Sequence, residues 1–222
     1  MAKEEDASVS NLFKEIDDEL RQDKATQLWQ KYGNLLIGAI IAVILGVAAF
    51  EGWKSYDLSQ RSELGEQYAA AMDLAREDNF AEAQNAFQTL ADQTGTGYSV
   101  LARMQAAALM AEQGKAKEAA DAYFLIAQNG EIDPVFRDMA LIMGALNGLE
   151  VMDANDIINR LQPLVGGANP WRHAASELTA YAHAKAGNME EAHKIMSSMI
   201  DDASVPPGMR QRANEFAQAY NG

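Results

Sequence analysis

His173, His183 and His193 are the side chains of this chain whose ordinary pKa lies near neutrality, and there is no Cys at all. That removes a thiol nucleophile, a disulfide framework and any Cys-ligated metal. Spacing by ten does not place His173 and His183 on one helical face. His183 and His193 flank Gly187-Asn188 and could approach across a turn, but no carboxylate pattern completes a metal site around them. Gly95-Thr96-Gly97 and Gly166-Gly167 lack the preceding strand and the following Gly-Lys-Ser/Thr of a phosphate loop, so they are expected to be turns. Asp201-Asp202 is expected to be a solvated helix end, and Asp153, Asn155 and Asp156 fit capping at a helix start. With no activated nucleophile and no paired acid and base, the expectation is a non-enzyme with no catalytic residue, cofactor, metal or small-molecule substrate.

One set of charged residues is periodic. Arg103, Arg137, Arg172 and Arg210 are each followed three positions later by Ala106, Ala140, Ala175 and Ala213, at spacings of 34, 35 and 38 residues. Two roles fit. Each guanidinium could bridge to an acidic residue of a neighbouring helix. Alternatively the series could line one surface and hold carboxylates of a partner, which makes these four Arg the candidate partner-binding residues.

A second repeat frames the first. Residues 75–83, 111–119 and 184–192 align without gaps, each ending one helix, turning at Gly or Asn, and opening another with Ala83, Ala119 or Ala192. Four positions later come Phe87, Tyr123 and Met196. A degenerate fourth copy begins at Leu149 and places Asp156, Ile157 and Leu161 at the matching offsets. Helices are expected to open after Gly97, Pro134, Pro170 and Pro206-Pro207, since Pro suits a helix's first turn. Met104, Met110, Met139, Met143, Met196 and Met199 are expected to be mainly core filler, with any groove-lining Met giving an adaptable surface. The predicted fold is all-α: one N-terminal transmembrane helix followed by an α-solenoid of stacked helical hairpins. The hairpins resemble the tetratricopeptide repeat superfamily in their period, their Gly or Asn turn and the Ala with a large residue four positions on. They depart from it in lacking the full Trp/Leu-Gly/Tyr signature, and the third copy lacks the key Ala.

Residues 32–50 carry no charge and would cover about 28 Å as a helix, close to the ~30 Å hydrocarbon core of a bilayer. Trp29 and Tyr32 on one side, with Trp53 and Tyr56 on the other, suit the two interfacial aromatic belts. A core helix of a soluble protein is the alternative. Val47-Ala48-Ala49 would offer small residues for cleavage, but the preceding segment is long and acidic rather than short and basic, so an uncleaved anchor is expected. Lys14, Arg21, Lys24 and Lys31 precede the span, against Lys54 and Arg61 after it, which favours the N-terminus in the cytoplasm. Val9, Leu12, Phe13, Ile16 and Leu20 recur at helical spacing beside acidic residues, as in a short amphipathic helix that binds a partner or stays disordered until it does.

The domain boundaries expected are 1–31 for an acidic cytoplasmic tail, 32–53 for the anchor and 54–222 for the repeats. Residues 54–222 hold 13 Lys and Arg against 23 Asp and Glu, and the whole chain has a net charge of -14, which leaves no basic face for nucleic acid. The tail, the anchor ending Gly52-Trp53-Lys54-Ser55-Tyr56 and the repeats directly after it together resemble the YfgM family, ancillary subunits of the SecYEG translocon. That resemblance implies a periplasmic domain held at the inner membrane beside Sec translocon components, working with a periplasmic chaperone on newly exported clients. Apart from the resemblance, the residues point to a membrane-anchored scaffold with protein partners and one span in the lipid bilayer. An envelope-assembly or cytoplasm-facing interaction adaptor is the alternative.

Overall fold

The computed structural model describes the backbone of residues 2–93 and 97–219, and the side chains of residues 26, 29–93 and 97–219. Among these residues there are nine α-helices and no strand: α1 Ala2–Arg76, α2 Phe80–Ala91, α3 Gly97–Glu112, α4 Ala116–Gln128, α5 Pro134–Gly148, α6 Ala154–Val165, α7 Arg172–Lys185, α8 Met189–Asp201 and α9 Pro207–Ala219. The chain divides into two compact units, residues 1–62 and 63–222.

In the first unit, α1 carries a segment long and apolar enough to cross a bilayer. Leu35, Ile40, Val43, Leu45 and Phe50 are all exposed, and these positions point around the full helix circumference. A core helix of a soluble protein would have buried them. The predicted amphipathic face of Val9, Leu12, Phe13, Ile16 and Leu20 lies outside the described side chains, as do Gly95 and Thr96 of the predicted inter-repeat turn.

The second unit is a row of helical hairpins. The end of α1 packs with α2 through a core around Ala71, Ala83 and Phe87. Then α3 and α4, α5 and α6, and α7 and α8 form successive pairs, and α9 packs on α8 and α7. The first helices of neighbouring hairpins also meet, α3 with α5, α5 with α7 and α7 with α9.

Local chemistry explains the repetition. In three hairpins the first helix ends in a left-handed residue: Asp78 (φ 61°), Gly114 (φ 76°) and Gly187 (φ 82°). The amide after each donates back to the carbonyl five residues earlier, Asn79 to Leu74 at 3.0 Å, Lys115 to Met110 at 2.9 Å and Asn188 to His183 at 2.8 Å. This satisfies carbonyls that the helix end would otherwise strand. The turning residue therefore sits one position before Asn79 and Asn188, and the first copy uses Asp rather than Gly or Asn. Asn79, Lys115 and Asn188 instead open the second helix, without a side-chain cap.

Ala83, Ala119 and Ala192 are fully buried where the paired helices cross, and Phe87, Tyr123 and Met196 fill the core one turn later. The third hairpin solves the same packing differently. Ile157 replaces the Ala, and the facing helix supplies Gly148, where a Cβ would stand 3.1 Å from Ile157 Cδ1 and 3.3 Å from Ala120 Cβ. Its turn is capped by Asp153, whose carboxylate accepts from the amides of Asn155 at 2.8 Å and Asp156 at 3.3 Å. Helices α5 and α9 open at Pro134 and Pro207; α7 opens at Arg172, two residues beyond Pro170.

Candidate protein-interaction surface

The Ala of each Arg-x-x-Ala pair is a packing position: Ala106, Ala140, Ala175 and Ala213 are all buried. Each Arg thus lies one helical turn ahead of a buried Ala and is itself half-buried. The four heads do different things. Arg103 Nη2 donates to the carbonyl of Ala91, at the C-terminal end of α2, at 2.9 Å. Arg172 Nη2 donates to the Ser204 hydroxyl at 3.1 Å. Arg137 keeps a buried Nε without a hydrogen-bond partner. Arg210 borders a polar hollow with Gln211, Asn214 and Glu215 between α8 and α9.

None of the four forms an ion pair with an acidic side chain among the described residues. The bridging role that the spacing suggested falls instead to Arg212, two residues beyond the series. It meets Glu177 of α7, a carboxylate only 7% exposed. The Tyr181 hydroxyl also donates to Glu177, at 3.4 Å. Burial, followed by the Glu177 charge, raises the pKa of Tyr181, and the bond to Glu177 raises that of Arg212. Sequence inspection missed this pair because its partners lie 35 residues apart; the available signal was a Glu among the small and apolar positions of α7. Arg160 is likewise engaged, its guanidinium 4.2 Å from the centre of the Phe124 ring.

The histidines separate. His173 Nε2 lies 3.3 Å from Ser204 Oγ, which itself donates to Asp202 at 2.6 Å. His183 has a buried Nδ1 without a partner, and His193 packs edge-on against Phe216 at 5.7 Å. Among the described residues no three His, Asp or Glu side chains converge as a metal site. Asp202 closes a tight turn after α8, and hydrogen bonds from the Ser204 hydroxyl and amide hold its carboxyl below the usual range.

The aromatic residues bracketing the apolar stretch are exposed: Trp29, Tyr32, Trp53 and Tyr56. Trp29 lies along the backbone at Gly33, where a Cβ would come within 3.2 Å of the indole, and Lys31 Nζ sits 5.2 Å from the Tyr32 ring centre.

Between α2 and α4, floored by α3, runs a trench of ≈ 460 Å³. Ala106, Ala107 and Met110 form the floor, Leu125 and Ile126 one wall, and Gln88 and Asp92 the other, with Arg103 in the lining. Leu125, at its rim, is 70% exposed. Of the Met expected as filler, Met104, Met196 and Met199 are buried, Met139 is exposed, and Met110 lines the trench.

Residues 26–195 match the family described as tetratricopeptide repeat-like domain. The chain belongs to this family. The match begins ahead of the apolar stretch of α1 and ends within α8, so α9 lies beyond it. No curated protein and no solved structure matches the chain. Domains built from tetratricopeptide-like hairpins present extended surfaces to other proteins.

Proposed function

We propose that this tetratricopeptide repeat-like protein is a membrane-anchored scaffold or chaperone adaptor, a binding protein rather than an enzyme. The observation that carries the reading is the joining, in one chain, of a helix whose apolar side chains point outward all round and a helical-hairpin unit with a partly apolar trench. Anchoring confines the repeats to a thin layer at the membrane and raises their effective concentration toward membrane partners, to about the millimolar range for short tethers.

The orientation proposed is N-terminus in the cytoplasm and repeats in the periplasm, supported by the Lys and Arg ahead of the span. The resemblance to the YfgM family supports a place beside the Sec translocon and a periplasmic chaperone, assisting newly exported proteins. Crosslinking in native membranes, followed by identification of the captured proteins, tests this. Translocon and periplasmic chaperone components are expected. Their consistent absence would defeat the specific placement, and a C-terminal reporter fusion active only in the cytoplasm would reverse the topology in favour of a cytoplasm-facing adaptor.

A further inference from the structure

We infer that the trench between α2 and α4 takes a peptide segment presenting one large apolar side chain beside one carboxylate. The inference rests on the scaffold reading and names the chemistry of the partner at this site.

The apolar half of the site is Leu125. It projects from α4 into solvent beside Ile126 and Met110, above a floor of Ala106 and Ala107. Small residues in the floor let an incoming side chain reach α3, where Met110 is adaptable, while Leu125 supplies an apolar wall. The cavity, ≈ 460 Å³, falls in the range of about 300–1,000 Å³ typical of small-ligand sites, which suits a single anchoring side chain with its flanking backbone. Gln88, Gln128 and Asn129 at the edge offer amides that can both donate to and accept from a peptide backbone.

The charged half is Arg103. Among the described residues Arg103 has no acidic side chain within ion-pair distance, and its bond to the Ala91 carbonyl uses one of its five N–H donors. That bond fixes the guanidinium before any partner arrives, reducing the ordering cost of binding. Asp92 shares the trench but accepts from Gln88 Nε2 at 3.0 Å. A partner carboxylate at Arg103 would therefore add charge-assisted hydrogen bonds without displacing an internal one. A partner bearing several carboxylates would meet the acidity of the surrounding unit, so the fit is to one such group next to an apolar anchor.

The test uses the full chain in lipid nanodiscs and fluorescence anisotropy of a short, amidated, fluorescein-labelled peptide with one Phe and one nearby Glu. Companion peptides carry Gln or Lys for the Glu, or Ser for the Phe. Replacing the peptide Glu by Gln is expected to weaken binding about tenfold or more, the worth of a hydrogen bond to a charged group. Arg103→Gln should weaken the Glu peptide by a similar factor and leave the Gln peptide unchanged. Leu125→Ser, at an exposed position that the fold does not need, should weaken every peptide containing Phe. Equal binding of the Glu peptide to the wild type and to Arg103→Gln overturns the inference; so does tighter binding of the Lys peptide, or no binding of any peptide. The wild-type comparison of Glu and Gln peptides, together with Leu125→Ser, decides the matter even if Arg103→Gln fails to fold. Native-membrane crosslinking with Leu125→Ser separates the two claims. If partner capture is unchanged, the scaffold reading stands and the trench falls; if the wild type captures no partner, the scaffold reading itself falls.

Discussion

Arg212 of α9 grips Glu177 of α7 with two parallel hydrogen bonds, Nε to Oε1 at 2.6 Å and Nη2 to Oε2 at 2.8 Å. The Glu177 side chain is nearly buried while that of Arg212 is about half exposed, at 49%. The pair therefore fastens the last helix to a charge that cannot easily return to water. Removing the Arg leaves that charge stranded; removing the charge leaves an Arg that can hydrate.

Arg212→Ala should consequently cost more than Glu177→Gln. A fully buried pair broken on one side loses several kcal/mol. Solvent screening at Arg212 reduces the expectation to about 2 kcal/mol, with Glu177→Gln below half of that. In thermal denaturation followed by circular dichroism, Arg212→Ala should lower Tm by ~4–8 °C. Melting indistinguishable from wild type would show that α9 is held by apolar packing through Ala213 and Phe216 alone.

The turns give a second, internally controlled comparison. Asp78, Gly114 and Gly187 occupy the same left-handed position in three hairpins. A side chain there crowds the backbone, and a negative charge at a helix C-terminus opposes the helix dipole. Asp78→Gly should stabilise the fold by about 0.5–1 kcal/mol, whereas Gly114→Ala and Gly187→Ala should each destabilise it by about 1 kcal/mol. Urea denaturation midpoints measure all three. A loss of stability in Asp78→Gly would contradict the strain argument.

Ile157 tests whether the repeat pattern or the local packing governs the third hairpin. Ala at this position would restore the pattern of Ala83, Ala119 and Ala192. Yet Gly148 faces Ile157, so an Ala here would leave a cavity between two small residues. Ile157→Ala is therefore expected to cost roughly 2–4 kcal/mol despite matching the repeat. Gly148→Ala alone should destabilise through crowding against Ile157 and Met152, and adding Ile157→Val should recover part of the loss, a non-additivity measurable in a double-mutant cycle. Strict additivity would mean that the two positions do not share a packing site.

What could be read from the chain divides along the range of the interactions involved. The Ala and the large residue four positions later are set within one hairpin, so they recur in the sequence and locate each crossing correctly. The Gly or Asn turn expected from the repeat holds at Gly114 and Gly187, while in the first copy the left-handed residue is Asp78, one position before Asn79, a residue type that gives no such hint. The Arg spacing correctly marked equivalent places on successive hairpins. The partners of those Arg depend on how neighbouring helices cross, which the spacing does not encode. Glu177 and Arg212 belong to the same class, as does the trench, whose walls come from helices separated by a whole hairpin turn. Composition could show an acid excess; only the packing shows that Arg103 stays outside it.

The turn after α8 supplies a pH dependence with a definite sign. Hydrogen bonds from the Ser204 hydroxyl and amide, aided by the nearby charges of His173 and Arg172, depress the pKa of Asp202 in the fold. A depressed folded value means that this contribution to stability is complete above the unfolded carboxyl pKa, about 3.9 for Asp. It is lost as the pH falls through the lower folded value, where the protonated carboxyl can no longer accept both bonds. In Ser204→Ala the hydroxyl bond disappears while the amide bond remains, so the Asp202 pKa should rise part of the way toward the ordinary value. Carbon-detected NMR titration of the Asp202 carboxyl reads this directly. Arg172 and His173 would then also lose the hydroxyl that ties them to the turn. An Asp202 pKa unchanged by Ser204→Ala would show that the amide and the neighbouring charges suffice, and that the hydroxyl contributes nothing to the charge state of this turn.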